Sequence, residues 1–77
     1  MTDLLVVEDD AQLVKALALT LRSRGYDVTT AGTAADALRL AAVRRFDVVV
    51  LDLGLPDRDG LEVIEEVRRT SAVPIVV

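Results

Sequence analysis

Two short apolar runs in this chain stop abruptly at acidic residues. Leu4 to Val7 runs straight into Glu8, Asp9 and Asp10, and Phe46 to Leu51 runs into Asp52. Valine-rich runs of this length, cut off by charge, read as strands buried on both faces of a parallel sheet. A chain with two such strands must cover both faces of the sheet, and the intervening residues have helical periodicity. After the first acids, Leu13, Leu17 and Leu21 recur at four-residue spacing, with Val14, Ala18 and Leu19 beside them. This predicts a helix over Ala11 to Arg24, capped by Asp9 or Asp10 and stopped by Gly25. Its polar stripe (Gln12, Lys15, Arg22) is narrow, so the helix needs more than one buried neighbour.

Tyr26 to Ala31 alternates weakly and predicts a short strand near a sheet edge. Thr33 with Asp36 resembles a capping box, with Asp in place of Glu. The helix it opens, Ala34 to Arg44, has a small apolar stripe of Ala34, Ala37, Leu38 and Ala41. Gly54, Pro56 and Gly60 break the chain into a loop after Asp52. Leu61, Ile64 and Val67 mark a third helix ending near Thr70, with Asp59 as its candidate cap. Pro74 opens a last apolar run, Ile75 to Val77. Regular strand–helix alternation with short connections predicts one α/β domain, a three-layer doubly wound parallel sheet of flavodoxin-like type.

Composition narrows the chemistry. The 77 residues contain no cysteine and no histidine, which excludes disulfides, thiolate zinc sites, imidazole ligands and histidine-based triads. A net charge of −4 and 3% aromatic residues argue against nucleic-acid binding by this segment. The apolar runs are too short to span a bilayer, and the start lacks a basic signal-peptide region, so a cytoplasmic location without membrane contact is expected.

Ligands of open parallel sheets bind beyond the carboxyl ends of the strands, where strand order reverses. If the first and third strands are neighbours, Glu8, Asp9 and Asp52 converge there. Carboxylates so placed repel unless a cation sits between them, and an all-oxygen set suits Mg²⁺ or Mn²⁺. A carboxylate beside such a cation is a competent nucleophile toward phosphorus. Taken singly, each acid reads equally well as a solvated turn or a helix cap. The pair of strand ends, with a whole strand–helix unit between them, is harder to dismiss. Asp57 and Asp59 are read mainly as solvated loop residues.

These residues resemble a known family. Leu4-Leu5-Val6-Val7-Glu8-Asp9-Asp10 is similar to the opening of a response-regulator receiver domain. Val48 to Gly60 is similar to its phosphorylation loop: an acceptor Asp, then Leu55-Pro56, then Gly60. Arg24-Gly25-Tyr26 and Ala72-Val73-Pro74 fit as well, so the resemblance covers the whole chain. Its wording is most like the winged-helix (OmpR-type) transcription-factor class. The resemblance implies a sheet order of 2-1-3-4. It implies Asp52 as phosphoacceptor, Asp9 as direct Mg²⁺ ligand, Glu8 holding the metal through water, and the Gly54 backbone carbonyl as a further ligand. The implied donor is a phosphohistidine on a sensor histidine kinase, docking on the exposed side of the first helix, or a small acyl phosphate. The resemblance implies control of transcription in a full-length protein, and no enzymatic role beyond promoting its own phosphorylation and dephosphorylation.

The same resemblance implies elements these 77 residues do not contain: a fourth helix, a fifth strand and a fifth helix. The Ser/Thr after the fourth strand and the fifth-strand Lys have no counterpart, and Lys15 lies on the wrong element to replace the latter. Each lost contact is worth about 2–4 kcal/mol of transition-state stabilisation in comparable sites. The expectation is an incomplete receiver domain with impaired phosphorylation. It should self-associate through the fourth-strand edge and the first helix. A phosphorylation-independent interaction module is the alternative. A haloacid-dehalogenase-type phosphatase is disfavoured, because the second acid it needs two residues after Asp52 is Gly54.

Overall fold

Seven elements alternate in the computed structural model, which describes residues 2–77: β1 (Asp3–Val7), α1 (Ala11–Ser23), β2 (Asp27–Ala31), α2 (Ala34–Val43), β3 (Val48–Leu51), α3 (Gly60–Arg68) and β4 (Ile75–Val76). The strands form one parallel sheet in the order β2-β1-β3-β4, the order expected from sequence. In β1, Leu4, Leu5, Val6 and Val7 are all buried, as a strand covered on both faces requires. In β3 only Val49 and Leu51 are buried, while Val48 and Val50 are half-exposed. The core explains the alternation. Leu5, Val7, Val49 and Leu51 pack with Ala34 and Ala37 of α2 and Val63 and Val67 of α3. The opposite face carries α1, whose single buried residue is Ala18.

Local chemistry sets the element ends. The Asp10 carboxylate accepts from the N–H groups of Gln12 (3.0 Å) and Leu13 (3.1 Å), so Asp10 rather than Asp9 caps α1. Gly25 ends α1 at φ +91°, the left-handed conformation that glycine adopts without cost. The Thr33 hydroxyl caps α2 by accepting from Asp36 N–H at 3.2 Å, and the Asp36 carboxylate pairs with Arg39. Asp59 caps α3 through Leu61 N–H at 2.9 Å.

Two details differ from the sequence reading. β3 begins at Val48, not Phe46, because the Asp47 carboxylate takes the Asp3 N–H (2.7 Å) in place of a main-chain carbonyl. Phe46 is still buried, beneath the Arg44 guanidinium at 5.1 Å from its ring centre. The buried stripe of α3 is Gly60, Val63 and Val67; Leu61 is 57% exposed and Ile64 half-buried. No helix among the described residues is long and apolar enough to cross a membrane.

Candidate functional site

The ladder between β1 and β3 pairs Val7 with Leu51, so both strands end at one level and their next residues emerge side by side. Asp52 N–H donates to the Val7 carbonyl at 2.9 Å, extending the pairing one step beyond the strand. Glu8 is tied on the other side, its N–H donating to the Ala31 carbonyl of β2 at 3.0 Å. The consequence is the expected convergence. One carboxylate oxygen each from Glu8, Asp9 and Asp52 lies within 4.8 Å of the others, with Asp9 exposed and the other two half-exposed.

The electrostatics of the three acids are unequal. Partial burial, then a hydrogen bond to Asp52 and repulsion by its charge, push the Glu8 carboxyl above the ordinary glutamate range. Asp52 is held below the ordinary aspartate range, chiefly by the Gly54 N–H, which donates to its Oδ1 at 3.1 Å. On acidification Glu8 therefore takes the proton before Asp52. The cluster holds an ionised, oriented Asp52 facing two further acids, all with hard oxygen donors. Such a donor set fits Mg²⁺ or Mn²⁺, with room for water on the exposed side. Gly54 sits two residues beyond Asp52, and an added Cβ there would be 3.6 Å from the Asp52 carboxylate, an ordinary contact. Space therefore does not demand glycine at that position.

The loop after Asp52 is anchored at intervals. Leu55 is buried in the core, whereas Pro56 is exposed. Gly60 approaches Leu53 so closely that a Cβ would lie 2.6 Å from the Leu53 Cα, and its N–H donates to the Leu53 carbonyl. Asp57, read from sequence as a solvated loop acid, instead reaches across to α2. Its Oδ1 accepts from Ala34 N–H at 2.8 Å and its Oδ2 from Ala35 N–H at 3.0 Å. These bonds hold its carboxyl below the ordinary aspartate range. No periodicity could have revealed this contact, since it joins a loop to the start of a helix more than twenty residues earlier.

Comparison with known proteins agrees with this geometry. Residues 4–77 match the family model of the response regulator receiver domain. The chain is 48% identical over all 77 residues to the transcriptional regulatory protein KdpE of Mycobacterium tuberculosis, covering 34% of that protein. It thus spans about a third of the length of such a curated relative. Its fold superimposes on the chemotaxis response regulator CheY4 of Vibrio cholerae with a TM-score of 0.94 at 35% identity, covering 97% of this chain and 65% of that one. It is also similar to the response regulator TrrA, solved in complex with the histidine kinase ThkA, with a TM-score of 0.90 at 33% identity, covering 97% of this chain and 66% of that one. With a family model matching nearly its whole length and a relative 48% identical over all of it, the chain belongs to the response-regulator receiver family, most like the winged-helix OmpR-type class.

Proposed function

We propose that this chain is a phosphoacceptor module of a two-component system, with Asp52 receiving a phosphoryl group from a phosphohistidine of a sensor histidine kinase. The observation that carries the proposal is the convergence of Glu8, Asp9 and Asp52 at the carboxyl ends of adjacent strands. In this reading Asp9, Asp52 and the Gly54 carbonyl would hold Mg²⁺ directly, and Glu8 would hold it through water. A cation held there would supply charge to offset that building on the phosphoryl oxygens. Asp52 attacks phosphorus through a carboxylate oxygen, the bond from phosphorus to the imidazole nitrogen breaks, and an aspartyl phosphate results. The Gly54 N–H keeps that carboxylate ionised and oriented.

The kinase partner is supported by the TrrA–ThkA complex, and the exposed side of α1 is the proposed docking surface. Control of transcription in a full-length protein is supported by the likeness to KdpE, a transcriptional regulatory protein, and a cytoplasmic location is proposed with it. Beyond promoting its own phosphorylation and dephosphorylation, the module has no proposed enzymatic role.

Incubation with Mg²⁺ and a small acyl phosphate should give an acid-stable, base-labile adduct that disappears in Asp52→Asn. Glu8→Gln and Asp9→Asn should weaken Mg²⁺ binding. An adduct that survives Asp52→Asn, or the absence of both an adduct and any Mg²⁺ response at these residues, would overturn the proposal. A second mode, association with another copy, is favoured by one observation: the sheet face bearing Val48, Val50 and Val76 is only partly covered.

A further inference from the structure

Resting on that reading, we infer that Asp57 is a positioning residue: by clasping the start of α2 it fixes the loop that sets Asp52 and Gly54. The clasp meets an unfilled need. The first N–H groups of a helix have no partner within the helix. In α2 the Thr33 hydroxyl serves Asp36, which leaves Ala34 and Ala35 to be served from elsewhere. Asp57 takes both, one with each carboxylate oxygen. Two charge-assisted bonds from one rigid carboxylate define an orientation as well as a distance, and the positive end of the helix favours the anion.

The consequence for the site follows from the order of anchors along the loop. Asp52 is joined to Gly54 by the Gly54 N–H, Leu55 is sunk in the core, Asp57 is tied to α2, and Asp59 begins α3. Pro56 between the second and third anchors is exposed. Among the described residues, the Asp57 bonds are the only side-chain hydrogen bonds joining this loop to α2. Releasing them leaves the distal side of the segment tied to α3 alone, through Arg58 to Glu62 and Glu66, and no longer to α2, while its proximal side orients Asp52. The core beneath, built on Leu55, Val63 and Val67, does not depend on Asp57.

The test separates positioning from stability. Mg²⁺ affinity is measured on the 77-residue chain by titration of the Asp52 and Gly54 amide resonances, with denaturation measured alongside. The proteins compared are the wild type, Asp57→Ala, Asp57→Asn and Thr33→Ala. Thr33→Ala removes the helix's own cap but leaves the clasp, so it lowers stability and should leave Mg²⁺ affinity unchanged. Asp57→Ala should lower affinity several-fold, less than the roughly tenfold or greater loss seen when a group bonded directly to a metal ligand is removed. Asp57→Asn, which keeps one oxygen acceptor and the wild-type shape, should fall between and gives the answer if the alanine variant does not fold. Wild-type affinity in both Asp57 variants, or an equal loss in Thr33→Ala, overturns the inference while leaving the phosphoacceptor reading intact. Absence of Mg²⁺ binding by the wild type overturns both.

Discussion

Gly60 and Asp57 show how single residues shape the site from outside it. Gly60 is needed for space rather than for backbone freedom: its neighbour is the Leu53 main chain, which cannot step aside as a side-chain tip could. Gly60→Ala should therefore cost about 1–3 kcal/mol, the usual range for overpacking. Urea unfolding should show a lower midpoint with an unchanged slope. Asp57 makes the stability depend on pH. Its folded-state pKa lies below the ordinary aspartate value of 3.8, so the unfolded chain binds its proton more readily than the folded one. The stabilisation is present above 3.8 and is lost as pH falls through the lower folded value. Urea midpoints measured across the acid range should fall less steeply in Asp57→Asn than in wild type.

At the scale of elements, α3 separates what could be read from what could not. Leu61, Ile64 and Val67 fit a helical stripe about as well as Gly60, Val63 and Val67 do, because both sets recur at intervals of three or four residues. The choice between them is made by the approach of Gly60 to Leu53, a contact across a loop that no periodicity encodes. Val63→Ala should cost about 2 kcal/mol, from lost burial plus a residual cavity. Leu61→Ala should stay within about 0.5 kcal/mol, as an exposed position does. Thermal or urea unfolding of the two variants checks the phase directly. Elsewhere the signals were local and strong: the apolar run of β1, the helix stop at Gly25, the caps at Thr33 and Asp59, and the acids at the ends of β1 and β3. Those acids were legible because charge directly after a buried strand has few places to go. The start of β3 was not, since the Asp47 side chain replaces a main-chain acceptor and moves the boundary past Phe46.

On the scale of the whole molecule, the two faces of the sheet are covered unequally. Leu5, Val7, Val49 and Leu51 lie under α2 and α3, whereas the α1 side leaves Val48 and Val50 half-exposed and Val76 55% exposed. Val50 and Val76 are register partners in neighbouring parallel strands, so their side chains share a face. On α1, Leu13 is 46% and Leu19 71% exposed. The outer edge of β4 has no strand partner among the described residues. Apolar surface together with an open edge is a template for pairing between chains. Opposing this is the net charge of −4 on each copy, a repulsion that salt screens. Association should therefore strengthen with both concentration and ionic strength, raising the average mass in sedimentation equilibrium. Val76→Lys places charge on the exposed edge without disturbing a buried contact, and should return the mass to that of one chain. A wild type that stays monomeric at every concentration and salt level would rule the association out. If Val76→Lys associates as strongly as wild type, the contact lies on α1 instead, and Leu19→Lys becomes the substitution that should abolish it.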